Sequence, residues 1–307
     1  MKFVKKPAFV RMPSVKKPAG LKMPAFSLPA GPRSLAGWTW LAPAMVVLLA
    51  ITAWPIGRAL WLSMSSYSLT NPEARKSVVF DNYAEILTNK TWWFAIATSL
   101  IIVVLVVAVQ LALGFAFALV LRRLSILWPV TRVLVLLPFA LASFVTAVVW
   151  RDAATTGFLA SWFRLDSVGQ LDQLAAVSLG EIWRGTGIVA VILLAGLTQV
   201  SSRLHAAAVA DGATGWQRLQ RVILPVMGPA FAVATAYRAL DAFRAIEGPL
   251  LVDEPGADVH TAPQLIWDTT FSSFELGLGA AMSVVLLAIT AVLGVLLVQL
   301  FRVRRVV

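Results

Sequence analysis

Arg238, Asp241 and Arg244 stand three residues apart, just after the charge-free run Val222 to Tyr237, so on a helix they share one face. An ionised side chain near the centre of a bilayer costs about 2.5 kcal/mol or more, so such a stripe faces water, a partner or a solute. It can contact a solute, form an ion-pair network with a partner subunit, or sit solvated at the outer end of the helix. Asp241 can pair with either arginine, which leaves one positive charge over. Glu181 and Arg184, flanking Trp183, offer a second pair at i, i+3, readable as a gate, as a solute contact or as a structural pair. Hydrolytic chemistry finds no support. The chain has no HExxH, no GxSxG and only two histidines, His205 and His260, and no lysine follows a glycine as a phosphate loop requires. Without cysteine there is no disulfide and no thiolate metal site. No catalytic residue, metal or cofactor of the chain's own is expected.

The elements that hold these residues follow from composition. With 59% hydrophobic and 13% charged residues among 307, and a mean hydropathy of +0.81, the apolar surface exceeds what one soluble core can bury. Six runs carry no Asp, Glu, Lys or Arg: Ser34 to Gly57, Thr91 to Leu121, Val133 to Trp150, Gly185 to Ser202, Val222 to Tyr237 and Leu276 to Phe301. In lipid these must be helices, because an open strand would leave its backbone unpaired, so the expected class is an all-α integral membrane protein with six spans over 34–307.

Most of the 26 Lys and Arg lie before the first span, after the second, after the fourth and after the sixth, which places both termini in the cytoplasm. The net charge of +11 is thereby topological, and no nucleic-acid partner is expected. The tail 1–33, with VKKPA at Val4 and again at Val15, is too rich in proline for a long helix and reads as a disordered basic segment able to touch anionic lipid. Trp38, Trp40, Trp54, Trp61, Trp92, Trp93, Trp128 and Trp150 fall near span ends, as an aromatic belt would. Trp267 and Phe271, in the acidic outer loop Glu247 to Glu275, are placed to meet an incoming protein, with Asp253, Glu254, Asp258 and Asp268 able to steer it.

The segment LHAAAVADGATGWQRLQRVILPVMGP, Leu204 to Pro229, lies in a cytoplasmic loop on this topology. Small residues at Ala206, Ala207, Ala208 and Ala210 let a helix lie close against another protein. Asp211 can cap the following helix, and Gly212 can take a turn that a side chain resists. A second helix, Trp216 to Ile223, would align Trp216, Leu219 and Ile223 on one face, and Pro225 would open the fifth span.

This segment resembles the EAA loop of ATP-binding-cassette importer permeases, which runs Glu-Ala-Ala, two residues, Asp-Gly-Ala, and later Ile-Leu-Pro. Ala207, Ala208, Asp211, Gly212, Ala213, Ile223, Leu224 and Pro225 match, and Trp216 sits where the family often has an aromatic. The stretches LAPAMVVLLAITAWPIGRALWLS, DNYAEIL, EIW followed by LLAGL, and YRALDAFRAIEGPLLV are similar to the first permease subunit of sugar importers.

The resemblance implies the type I importer permease fold in a bacterial plasma membrane, with 203–225 as the coupling loop. It implies one half of a sugar pathway, for a disaccharide such as trehalose, with maltose-like sugars and glycerol phosphate fitting the same architecture. Arg238, Asp241, Arg244, Glu181 and Trp183 would line that pathway. The implied partners are a second permease subunit, a cytoplasmic ATPase dimer carrying ATP and magnesium, and an extracytoplasmic substrate-binding lipoprotein. One position departs from the pattern: the motif's glutamate falls on Ala206, so the half-site leans on shape and on Asp211, Arg218 and Arg221, and a heterodimer is expected. Rival classes are an ion-gradient-driven secondary transporter and a scaffold without transport.

Overall fold

The computed structural model describes residues 35–71, 73, 76–123, 128–155, 157, 170–246 and 260–302. The basic tail 1–33 and Asp253, Glu254 and Asp258 lie outside them. The chain divides into two compact units between Trp54 and Pro55, and helix α1, Leu35–Ser63, runs across that point. Every regular element among the described residues of the second unit is helical. These are α2 (Asp81–Thr88), α3 (Lys90–Arg123), α4 (Trp128–Ala140), α5 (Ser143–Thr155), α6 (Gln170–Thr198), α7 (Ser202–Ala210), α8 (Gly215–Val226), α9 (Gly228–Phe243), α10 (Ala262–Trp267) and α11 (Leu276–Arg302). Among the described residues four helices are long and apolar enough to cross a membrane, and counting each of two bent pairs, α4 with α5 and α8 with α9, as one broken span makes six.

The body is built around α3 and α6, which pack along each other, with α4, α5 and α9 against α6. At about 1.5 Å per residue, the 34 residues of α3 reach about 50 Å, well beyond a hydrocarbon core of roughly 30 Å. Its buried side chains recur at helical spacing (Ser99, Val103, Val106, Gln110, Gly114, Ala118, Leu121); Gln110, Gly114, Ala118 and Leu121 meet α6, whereas Val103 packs in a cluster with Phe243, Ala262 and Met282. Close approach depends on small residues. A Cβ on Gly114 would strike Val189, one on Gly196 would strike Ala230, and one on Gly187 would strike the Val135 carbonyl. The hydropathic window of α6 is 50% buried and that of α11 only 6%, so α6 is the central helix and α11 the peripheral one.

Three span boundaries differ from the sequence expectation. The run Val133 to Trp150 is not one helix: α4 stops at Ala140 and α5 sets off at 88° to it. Pro138, inside α4, has no N–H for the Leu134 carbonyl and crowds that turn, so the helix ends two residues later. The fourth span begins well before Gly185, and Glu181 and Arg184 lie inside its membrane-length window Ser178–Thr198. The fifth span does not start at Pro225. That residue lies in the last turn of α8, where Leu219–Ile223 widens into a π-helical turn that accommodates a proline unable to donate, and α9 follows a 65° bend at Met227 with Pro229 in its first turn.

Of the tryptophans expected in an aromatic belt, Trp61 and Trp93 are exposed, whereas Trp92 is not. Trp92 is fully buried at the junction of α2 and α3, in a core cluster with Ile86, Ala95 and Phe243.

Candidate functional site

Four ionisable side chains from two helices meet inside the body. Arg238 of α9, with no exposed side-chain surface, ion-pairs through Nη2 with Glu181 and through Nη1 with Asp241. Arg184 donates to the same Glu181 carboxylate from Nε at 3.0 Å and from Nη2 at 2.8 Å, and lies 3.7 Å from Asp241. Two arginines thus face two carboxylates, and the cluster is electrically balanced. The Phe139 ring, near the break in the third span, lies 5.5 Å from the Arg184 guanidinium.

Gln110 of α3 completes the cluster. Its Oε1 accepts from Arg238 Nε at 2.9 Å and its Nε2 donates to the Glu181 carbonyl at 2.7 Å. Every nitrogen of the buried guanidinium therefore has a partner, as burial of a charge requires. Gly185 makes the room, since a Cβ there would fall on the Arg238 guanidinium and the Gln110 amide. Sequence reasoning missed both residues. The available signal was a lone amide in the apolar run Thr91 to Leu121, and a glycine directly after the charged pair of the fourth span.

Two expected pathway residues stand apart. Helix α9 ends at Phe243, so Arg244 leaves the helical track, is exposed, and donates from Nε to the Leu240 carbonyl at 3.2 Å. Asp241 accordingly pairs with Arg238 and Arg184 rather than with Arg244. Trp183, two positions from Glu181, points to the other side of α6, 42% exposed, with its ring 6.3 Å from that of Trp150.

Beside Glu181 lies a cavity of about 50 Å³ whose polar wall is made of the hydroxyls of Ser99, Ser143, Thr146, Ser178 and Thr261. Ser178 donates to the Leu174 carbonyl at 2.7 Å, which leaves its oxygen free to accept. Ser99 accepts from the Ala262 N–H at 2.9 Å, which leaves its proton free to donate. Thr261 Oγ1 is buried and has no hydrogen-bond partner among the described residues. A hydroxyl-bearing solute group can satisfy all three. The volume suits a few water molecules at roughly 10–15 Å³ each, or one hydroxymethyl group, but not a whole sugar. A larger groove of about 570 Å³, between the bend at Met227 and the end of α11, has only apolar side chains such as Leu224, Phe231, Val298 and Phe301.

The loop between α6 and α9 is a helix, a turn and a helix. Ser201 caps α7 through the Leu204 N–H, and Thr214 with Gln217 forms a reciprocal capping box at the start of α8. The expected cap role of Asp211 is therefore corrected: it is the C-cap residue that follows α7, and Thr214 caps the next helix. Gly212 has φ +74°, the left-handed turn expected of it. No residue of α7 or α8 is buried; Ala207 and Trp216 are exposed, Ala208, Ala213 and Leu224 half-buried. The face foreseen for Trp216, Leu219 and Ile223 is split, because Ile223 packs on the core beside Leu197 and Met227 while Trp216 stays 65% exposed. Arg218 Nη1 lies 3.3 Å from His205 Nε2, Arg221 is exposed, and Pro225 is exposed in the last turn of α8.

The helical body, its bent spans and the buried charged cluster define a multi-pass membrane permease. No protein-family model matches the chain. It is 37% identical over 266 residues to the trehalose transport system permease protein SugA of Mycobacterium tuberculosis, covering 85% of this chain and 87% of that one. It is 26% identical over 284 residues to the sulfoquinovosyl glycerol transport system permease protein SmoG of Agrobacterium fabrum, covering 85% and 89%. Its fold matches, with TM-score 0.71 and 18% identity over 88% of this chain and 96% of the other, a chain of a bacterial ABC transporter involved in the import of the acidic polysaccharide alginate. The chain belongs to the family of permease subunits of ATP-binding-cassette sugar importers.

Proposed function

We propose that this chain forms half of the pathway of an importer for an uncharged disaccharide of the trehalose type. The observation that carries the reading is the hydroxyl-lined cavity against Glu181, next to a cluster whose charges already balance. The cluster leaves no surplus cation for an anionic solute, while the wall offers both donors and acceptors to hydroxyls. One subunit's cavity is small, so the second permease subunit, a different chain with the fuller EAA motif, supplies the facing wall. The likeness to SugA supports trehalose over maltose-like sugars. The exposed Arg244 favours a second reading, in which an anionic solute such as glycerol phosphate follows the same path.

In this reading both termini are cytoplasmic in a bacterial plasma membrane, and a substrate-binding lipoprotein delivers the sugar from outside. Trp267 and Phe271, their tilted rings 4.3 Å apart between centroids and both exposed, suit that docking, whereas the Asp268 carboxylate lies 3.8 Å from His260 Nδ1. ATP and magnesium are bound by the partner ATPase dimer, and this subunit does no covalent chemistry. The loop with Asp211, Gly212 and Trp216 carries the motion of the ATPase to the spans.

The test is purification of the tagged chain from its native membrane in mild detergent, with ATP hydrolysis measured against candidate sugars and the co-purified binding protein. Stimulation by trehalose and not by glycerol phosphate is expected. Stimulation by an anionic solute alone would move the reading to the second one, and a chain recovered alone and silent would overturn both.

A further inference from the structure

The loop carries a cation that the described residues of its own chain leave without a counter-charge. From Arg203 to Arg221 the ionisable side chains are Arg203, His205, Asp211, Arg218 and Arg221. Arg218 is half-buried, and its Nη1 faces His205 Nε2 at 3.3 Å. A guanidinium can only donate, so in this contact the imidazole nitrogen is the acceptor and supplies no counter-charge. Arg218 Nε is buried without a hydrogen-bond partner, and no carboxylate pairs with the guanidinium among the described residues. Asp211 is exposed at the far end of α7. A partly buried charge without a counter-charge costs free energy until one is brought to it.

The surroundings say what brings it. No side chain of α7 or α8 is buried, yet Leu204, Val209 and Trp216 are 49%, 51% and 65% exposed, an apolar surface of the kind a protein groove covers. Where importer permeases of the family place a glutamate, this chain has Ala206, so the loop offers no carboxylate at that position and offers a guanidinium at Arg218 instead.

We infer that the ATPase subunit receiving this loop meets Arg218 with a carboxylate, so that the electrostatic polarity of this half-site is cation on the permease and acid on the ATPase. The inference rests on the docking of the loop on an ATPase stated above.

The test uses the assembled importer in nanodiscs of neutral phosphatidylcholine and, side by side, of phosphatidylcholine with anionic phosphatidylglycerol, measuring ATPase retained on the permeases as sodium chloride is raised, with sugar-stimulated ATP hydrolysis in parallel. Arg218→Gln is expected to lose at least about tenfold in ATPase association, with the remainder much less salt-sensitive, and Arg218→Lys to keep most of it. His205→Ala removes the same intrachain contact but keeps the cation, and is expected to retain most of the association. Wild-type association and salt dependence in Arg218→Gln would overturn the inference. So would an equal loss in His205→Ala, which would place the effect in loop packing, or a loss that appears only with anionic lipid, which would make a headgroup the counter-charge. If the wild-type permeases retain no ATPase at all, the docking reading itself fails.

Discussion

Glu181→Gln isolates the contribution of the buried cluster, because it keeps the side-chain shape and removes one charge. The carboxylate is 18% exposed and accepts from Arg184 Nε and Nη2 while ion-pairing with Arg238. Without it two guanidiniums share Asp241, which is 34% exposed and only 3.7 Å from Arg184. Removing one partner of a buried ion pair costs about 3–5 kcal/mol, because the remaining charge is left in a poor solvent. At roughly 2–4 °C per kcal/mol for a domain of this size, melting should fall on the order of 10 °C. Adding Arg184→Gln restores the charge balance and leaves Arg238 with Asp241 and Gln110, so the double variant should recover about 2 kcal/mol relative to the sum of the single losses. Thermal unfolding of the purified importer, followed by tryptophan fluorescence, reads both numbers. A single variant melting within about 2 °C of wild type, or strictly additive losses, would refute the electrostatic argument.

Gly185→Ala should destabilise by about 1–3 kcal/mol in the same assay, since its methyl would fall on the Arg238 guanidinium and the Gln110 amide. Gly212→Ala has open space around the new Cβ but φ +74°, so a purely conformational penalty of about 1–2 kcal/mol should lower sugar-stimulated ATP hydrolysis without lowering membrane insertion. Gly212→Pro and Asp211→Arg should uncouple hydrolysis from uptake more completely, and unchanged uptake in both would remove the coupling role of the loop. Thr261→Val removes a buried hydroxyl that has no partner among the described residues, so melting should hold or rise while the KM for sugar uptake increases several-fold; an unchanged KM would take the cavity off the solute's path.

Much of the architecture was legible because a bilayer allows so few solutions. Charge-free runs long enough to span must be helices, which gave the six spans and the all-α class. The loop around Asp211 and Gly212 could be recognised because the left-handed turn and the spacing of its small residues are local properties. The cap was misassigned because Asp211 and Thr214 are both good capping residues, and only the chain path decides which one precedes the helix. Arg238 and Asp241 could be paired from their spacing, but the end of α9 that excludes Arg244 could not.

The sequence by itself determined the membrane spans, the charged residues they carry and the polar loop, since these depend on composition and on contacts within a few residues. The tertiary structure alone decided that Gln110, Glu181 and Arg238, 71 and 57 residues apart along the chain, close on one another. It also decided that Gly185 is the space they occupy, and the angles, 88° and 65°, at which the broken spans after Pro138 and at Met227 set off again. Those outcomes depend on how helices pack, and the cost of an unmatched buried charge is felt only once α3, α6 and α9 have come together.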